Sequence, residues 1–320
     1  MDANGHPEAG VDYPTTYQDL LAWFPDNKAC LEYLARLRWP DGFVCPACKA
    51  GEFWRTGGGL WMCRGCARRT SVTAGTIFDR TRTPMSTWFA AIWFVTSQKN
   101  GISAQGLQRV LGFKSYETAW AWMHKLRRAM VRPDRDRLSG VVEVDETFVG
   151  GVSRGKPGAG SDKVAVMVAV EKTGTGRKLG RIRLEIAERP ASLELVEFAK
   201  RMVMPGSTIR TDGAIMMRKL AKAGYTHEYA TGYNAPDKTE VLPGVHLSAS
   251  LLKRWLTGTL QYGVAEHQLA YYLDEFTFRF NRRDSNSRGL LFYRLVQQAA
   301  GTDPQPLRTL LQPENNPYFT

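Results

Sequence analysis

The spacing of apolar residues divides the chain into two regions. In the N-terminal region, apolar residues three and four positions apart predict helices at 16–24, 27–39, 85–100, 104–112 and 116–130. After residue 140 the pattern changes to β-rich runs at 141–151, 163–172, 180–189 and 207–213, with a helical pattern at 191–203 before the last run. The chain is therefore predicted to be an α/β protein with a helical N-terminal part.

Four of the five cysteines form two CxxC pairs separated by fourteen residues: Cys45, Cys48, Cys63 and Cys66. A CxxC turn brings two thiolates onto one cation, and two such turns complete a tetrahedral four-sulfur site. Aromatic-rich runs on either side of Gly57–Gly59 predict a hairpin between the pairs. The pattern predicts a zinc ribbon with structural Zn²⁺ and no open coordination position. Disulfides are the alternative, which a cytosolic location would disfavour.

The composition adds a charge asymmetry to this picture. With 43% hydrophobic and 23% charged residues among 320, a largely disordered chain is excluded. The net charge is +12, to which residues 1–44 contribute −4, residues 45–135 contribute +11 and residues 136–320 contribute +5. A basic block of this size favours a module that binds a polyanion, and a merely soluble basic surface is the alternative. The N-terminus has no apolar signal segment, and the longest apolar run, 88–95, is too short to span a bilayer, so we expect a cytosolic protein.

Two of the predicted helices, 104–112 and 116–130, are joined through Gly112, and Ser103 and Ser115 are positioned to cap them. Two short helices joined by a glycine turn match a helix-turn-helix, with a generic helical bundle as the alternative. The second helix carries a cationic face formed by Lys125, Arg127 and Arg128. We expect this face to contact DNA phosphates.

Two aspartates follow from the strand pattern as candidate metal ligands. On the first strand of the α/β part, Val142 and Val144 share one face, and Glu143 and Asp145 share the other. Asp212 ends the fourth strand. Two carboxylates on neighbouring strands could hold divalent cations, and Mg²⁺ prefers such oxygen ligands. Taken singly, each aspartate is more typical of a strand end or a turn than of a metal site.

The C-terminal part contributes a helical segment at 245–260, in which His246, Ser250 and Lys253 recur at positions i, i+4 and i+7 on one face. The histidine could bind a metal or transfer a proton, and the lysine could hold a phosphate. A packed or capping histidine is the alternative for His246. Further on, aromatic residues alternate with arginines, and we expect Arg282 and Arg283 to contact DNA.

Proline and charged residues at 131–140 indicate a linker, and three strands, a helix and a fourth strand are the order of a ribonuclease-H-like domain. The expected domains are a helical lead-in at 1–40, the zinc ribbon at 41–82, the helix-turn-helix at 83–132, the ribonuclease-H-like domain at 138–300 and a C-terminal tail at 301–320.

The order of motifs resembles a family: transposases of bacterial insertion sequences with an N-terminal zinc ribbon, a helix-turn-helix and a DDE-type catalytic domain. The matching strings are WPDGFVCPACK, WMCRGC, VEVDETFVGG, TDGA, SLLKRWLTGT and YLDEFTFRFNRR. They occur in this order from residue 39 to residue 283, about three quarters of the chain. As a set they are specific, although TDGA alone would be a weak signal.

The resemblance implies that Asp145 and Asp212 are the first two acidic members of the catalytic set, and that Lys253 is the lysine following the third. At the third position this sequence departs from the family. Much of the family has a stretch like TNTIEGFWSLLKR, whereas LPGVHLSASLLKR here puts Pro243 and His246 where the asparagine and glutamate would fall. His246 is therefore expected to be the third ligand, with Glu240 and Asn281 as weaker substitutes.

The resemblance further implies a transposase that binds terminal inverted repeats and uses two Mg²⁺ ions to cut DNA and join the resulting 3′-hydroxyl to a target. Its partners would be double-stranded DNA, both element ends and target, and at least one further copy of the chain, without a membrane. It would act in the bacterial cytoplasm, associated with the nucleoid. The histidine at the third position leaves a second possibility, a catalytically inactive DNA-binding repressor derived from a transposase. A third possibility is a structure-directed nuclease that cuts without joining.

Overall fold

The structure is a computed structural model that describes residues 6–132, 134–150, 163–173, 178–188, 191–229, 241–260 and 264–311. The chain divides into two compact units, one formed by residues 1–132 together with 285–320 and the other by residues 133–284. Within the described ranges, no helix combines the length and the apolar character that crossing a membrane would require.

The first unit begins with two capped helices, α1 (Tyr17–Trp23) and α2 (Asn27–Arg38). Thr16 accepts a hydrogen bond from the backbone N–H of Asp19, whose carboxylate accepts one from Thr16 N–H in return, so that α1 starts with a capping box. Asp26 caps α2 through the N–H of Ala29 at 2.8 Å. The two helices at the start of the sequence are thus confirmed.

Three helices follow the ribbon: α3 (Met85–Ser97), α4 (Ala104–Leu111) and α5 (Tyr116–Ala129). Ser103 and Ser115 cap α4 and α5 as the sequence predicts, and Gly112 ends α4 in the left-handed region with φ of 67°. A residue with a Cβ is strained in that conformation, which explains the glycine in the turn. The α4 and α5 helices pack on each other, and the rings of Trp88 and Trp122 stack with centroids 3.4 Å apart.

The last helices of the chain, α10 (Arg288–Gly301) and α11 (Leu307–Leu311), belong to this first unit. The α10 helix packs on α2, α3 and α5, and Phe292 contacts the rings of Phe24 and Phe89. Sequence analysis places the end of the α/β domain at residue 300, whereas in the structure that unit ends at Asp284. The physical reason is the apolar face of α10, which is buried against the N-terminal helices.

The ribbon is a small antiparallel sheet of β1 (Phe53–Arg55), β2 (Trp61–Cys63) and β3 (Arg69–Thr70). The hairpin turn at 56–60 contains Gly59 with φ of 77°, which favours glycine. Four aromatic side chains pack against one another and against the buried cysteines: Trp39, Phe43, Phe53 and Trp61.

The second unit is built on a five-stranded sheet of β4 (Val141–Val149), β5 (Val164–Thr173), β6 (Lys178–Ile186), β7 (Thr208–Thr211) and β8 (Thr226–Tyr229), in the order β6-β5-β4-β7-β8. The pairs β4–β5 and β5–β6 are antiparallel, and β4–β7 and β7–β8 are parallel. The first four strands confirm the sequence prediction, whereas β8 was not predicted. Its four residues are polar at both ends and lie at the edge of the sheet.

Helices cover both faces of this sheet. On one face, α6 (Ala191–Met202) packs against Val142, Val144 and Ile209. On the other face, α8 (Pro243–Leu260) packs over β5 and β4, and α9 (Leu269–Phe280) packs over β6. A short helix, α7 (Lys219–Lys222), precedes β8. Because residues alternate along β4, Glu143 and Asp145 lie on the α8 face, opposite to α6.

Candidate functional site

The four cysteines of the ribbon converge on one point. Their sulfur atoms all lie within 4.8 Å of one another, with Cys45–Cys66 at 3.6 Å and Cys48–Cys63 at 3.5 Å. A Zn–S bond of about 2.3 Å in a tetrahedron corresponds to a sulfur–sulfur distance of about 3.8 Å. The side chains present therefore fit a structural Zn²⁺ held by four thiolates.

The two CxxC turns have the same backbone conformation. After the second cysteine of each turn, Lys49 and Ala67 adopt positive φ values of 63° and 56°. The N–H of each of these residues donates to the carbonyl of the first cysteine, at 3.0 Å in both turns. The repetition indicates that both turns serve one metal geometry. The backbone N–H groups of Cys48 and Ala47 lower the pKa of Cys45 to about 6, which favours the thiolate that binds zinc.

Asp145 lies in the middle of β4, beside Asp212, which directly follows the end of the neighbouring parallel strand β7. The register pairs Val142 with Ile209 and Glu143 with Arg210, so two further steps along both strands bring Asp145 to the level of Asp212. Asp145 is partly buried and accepts a hydrogen bond from Glu146 N–H at 2.8 Å. Burial, with repulsion from the carboxylates of Glu146 and Asp212, raises the pKa of Asp145 to about 7.

His246 and Lys253 lie on the exposed flank of α8. They follow the sheet-facing residues Val245 and Leu252 by one position, which is about 100° around the helix axis. Trp255 contacts aromatic rings of α9 and marks the opposite flank. Because α9 covers β6 and α8 covers β5 and β4, the flank with His246 and Lys253 faces the side of the sheet where β7 lies.

The structure brings the two aspartates together, but it does not gather all three expected ligands of the second metal site. Among the described residues, the four cysteines form the only group of three or more potential ligand atoms within 4.8 Å, so Asp145, Asp212 and His246 do not form such a group.

The pKa of Lys253 is lowered by partial burial and by the nearby cation of Lys163. Glu240 lies outside the described residues.

The cationic face expected on α5 needs a correction. Arg127 is only 3% exposed and is part of the interior of the helical unit, so it cannot be a surface contact for DNA. Lys125 and Arg128 are partly buried, and burial lowers the pKa of Lys125. Charge counting alone could not separate these cases. Exposed cations of the same module lie instead on α4 and in the turn after it, at Arg109 and Lys114.

The two arginines after α9 bind their own chain. Arg283 donates to the carbonyls of Leu179, Gly180 and Phe280, and its guanidinium lies 4.3 Å from the Phe280 ring centroid. Arg282 lies over the ring of Phe278, 4.1 Å from its centroid. The sequence interpretation of both as DNA contacts therefore omits an intramolecular role.

Asn281, a weaker substitute for the third ligand, is also committed elsewhere in the fold. Its side-chain oxygen accepts from Ile182 N–H at 2.7 Å, and its amide nitrogen donates to Ile182 O at 3.3 Å. The side chain thereby pairs with the outer edge of β6 in the way a further strand would.

Glu143 lies two residues before Asp145 on the same face of β4 and is not among the site residues predicted from the sequence. In the structure its carboxylate is 1% exposed and lies beneath the first turn of α8, beside Lys172. The signal available in the sequence was an acidic residue between two valines of a predicted strand.

Family models of two transposase domains match separate parts of the chain, one over the ribbon region and one over the α/β unit. Residues 137–281 match the family model of the ISXO2-like transposase domain, and residues 25–69 match that of the transposase zinc-ribbon domain. A relative from Halobacterium salinarum, described as an uncharacterized protein in transposable element ISH50, is 27% identical over 291 residues, covering 80% of this chain and 91% of the relative.

Proposed function

We propose that this chain, which belongs to the insertion-sequence transposases with a zinc ribbon and a DDE domain, cuts DNA at the ends of its element and joins those ends to a target. The observation that carries the proposal is the position of Asp145, in the middle of β4, beside Asp212, at the end of the adjacent parallel strand β7. The strand order and directions of the five-stranded sheet support a ribonuclease-H-like fold for this domain.

The two carboxylates fit a hard divalent cation. Burial and mutual repulsion disfavour the charged form of Asp145, and a cation between the carboxylates would remove that penalty. Asp145 and Asp212 would hold Mg²⁺, with His246 as the third ligand. Bound Mg²⁺ would supply the positive charge that polarises the attacking and leaving oxygens of an in-line phosphoryl transfer.

Cationic side chains of the protein would bind and orient the DNA. Lys253 would bind a phosphate oxygen of the DNA backbone as a point charge and so orient the strand over the aspartates. Lys253 is exposed on α8, so that its ammonium group is accessible to a phosphate. The exposed cations of the ribbon would contact the repeat backbone: Lys49, Arg64, Arg68 and Arg69.

The histidine at the third position favours one alternative function, a repressor that binds element ends without cutting them. Imidazole is a poorer ligand for Mg²⁺ than a carboxylate, which makes this alternative testable through His246. If the site is active with histidine, His246→Ala lowers joining and His246→Glu retains it. If the histidine has inactivated the site, the wild type does not cut, and His246→Glu restores cutting.

The test of the main proposal is a joining assay with DNA that carries the short inverted repeats flanking the reading frame. We expect Asp145→Asn and Asp212→Asn each to abolish Mg²⁺-dependent joining, with repeat binding within about twofold of wild type, because the aspartates contact no DNA in this proposal. Full joining by either variant would refute the assignment. Cutting without any joined product would favour a nuclease.

A further inference from the structure

Glu143 links the strand of the first catalytic aspartate to the helix of the third ligand. Its Oε2 accepts hydrogen bonds from the backbone N–H groups of Gly244 and Val245, at 2.6 Å and 3.0 Å. These are two of the donors that a helix N-terminus leaves without intrahelical partners. The carboxylate therefore caps α8 from a distance of about a hundred residues along the chain.

The other oxygen of the carboxylate is neutralised by a buried lysine. Lys172 Nζ lies 3.2 Å from Glu143 Oε1, and the two side chains are 7% and 2% exposed. A buried charge without a partner strongly destabilises a protein, and here the lysine and the positive end of the α8 dipole both offset that cost. Glu143 is too deeply buried to contact a substrate.

The first turn of α8 approaches β4 closely at this contact. A Cβ at Gly244 would lie 2.7 Å from Glu143 Oε2 and 3.1 Å from a methyl carbon of Leu179. Only glycine permits so close an approach of the helix to the strand. By contrast, a Cβ at Gly258, in the same helix, would have no atom within 4 Å.

We infer that Glu143 is a positioning residue, which fixes the first turn of α8 against β4 and so holds His246 and Lys253 at a set distance from Asp145. His246 follows the second capped amide by one residue, and Asp145 follows Glu143 by two. Both ends of the link are thus close to the groups it would position. This inference rests on the proposed function, because it assigns the link a role in the same phosphoryl transfer.

Two double variants separate positioning from stability. Glu143→Ala with Lys172→Met removes both charges and also the acceptor for the α8 amides. Glu143→Gln with Lys172→Met removes both charges but keeps an oxygen that can accept from Gly244 and Val245. Both pairs avoid an unpaired buried charge. We expect the alanine pair to melt at a lower temperature than the glutamine pair, because it leaves the Gly244 and Val245 amides without an acceptor. Joining is therefore compared at a temperature at which both proteins are fully folded.

Joining activity should nevertheless differ between them. We expect the alanine pair to lose about 100-fold in joining rate, the loss that a displacement of about 1 Å produces, and the glutamine pair to stay within about tenfold of wild type. Repeat binding should be unchanged in both. The same rate for both pairs would overturn the inference. A control is Glu171→Gln, which breaks a partly exposed ion pair of this sheet, with Arg181, away from α8. Any loss of joining rate in this variant should be no larger than its loss of folded protein at the assay temperature.

Hydrogen exchange of glycine variants tests the contact between Glu143 and α8 independently of joining activity. Gly244→Ala should raise amide exchange in the first two turns of α8 by at least tenfold, and Gly258→Ala should leave it unchanged. Unaltered exchange in Gly244→Ala, or in the alanine pair at position 143, would refute the anchor. A wild-type protein that never joins DNA would refute the proposed function instead, and the exchange measurement would still decide whether Glu143 fixes α8.

Discussion

Neutralising Asp145 should stabilise the protein in the absence of Mg²⁺, even though it removes a catalytic group. The pKa of Asp145 is raised from 3.8 to about 7, first by burial and then by neighbouring carboxylates. Between these two pH values the folded protein binds more protons than the unfolded chain, so the free energy of unfolding falls as the pH rises from about 4 to about 7. Asp145→Asn has no such titration and escapes this loss.

The size of the effect follows from the shift. About 3 pH units at 1.36 kcal/mol per unit give an upper limit of about 4 kcal/mol, and water entering the site and side-chain relaxation reduce it to about 1–3 kcal/mol. In a domain of roughly 150 residues, each kcal/mol changes the melting temperature by about 2–4 °C. Asp145→Asn should therefore melt several degrees above wild type at pH 8, and the difference should vanish near pH 4.

The assay is thermal denaturation of both proteins from pH 4 to pH 8 without added Mg²⁺, followed by a repeat with Mg²⁺. We expect the cation to raise the melting temperature of wild type alone, because binding to the folded state stabilises it. Glu197→Gln is a matched control on α6: Lys200 lowers the pKa of that exposed carboxylate, so its neutralisation should not stabilise the protein at pH 8. A pH-independent difference, or a less stable Asp145→Asn at pH 8, would refute the reasoning.

Two further predictions concern the first unit. Cys63→Ser should lower the zinc content of the purified protein, measured by elemental analysis, and unfold the ribbon, because the binding energy of a structural zinc is folding energy; full zinc occupancy in this variant would contradict the four-cysteine site. Gly112→Ala should lower the free energy of unfolding by about 1–2 kcal/mol, because φ is 67° there. Chemical denaturation measures this loss, and an unchanged midpoint would show that the turn tolerates a side chain.

Local patterns in the sequence were sufficient for most of the helices and strands, with β8 as an exception, and for the four-cysteine cluster. The CxxC spacing predicted the cysteine cluster, because a turn of that length fixes the two sulfurs of each pair. The alternation along β4 placed Glu143 and Asp145 on one face, and the structure agrees. These predictions depend on residues within a few positions of one another.

Features that depend on distant contacts could not be predicted from such patterns. Arg127 has the charge of a surface residue, but its helix turns it into the interior. Asn281 has the chemistry of a ligand, but the edge of β6 is its partner across about a hundred residues. The role of Glu143 under α8 required knowing which helix covers β4.

The return of α10 to the N-terminal helices has a consequence for synthesis of the protein. The second unit, residues 133–284, is an insertion within the first, because the chain leaves the first unit at residue 132 and re-enters it at residue 285. A ribosome must therefore translate the whole insertion before Phe292 can cover Phe24 and Phe89. Translation products that end before residue 285 would therefore lack α10 and, with it, part of the core of the helical unit.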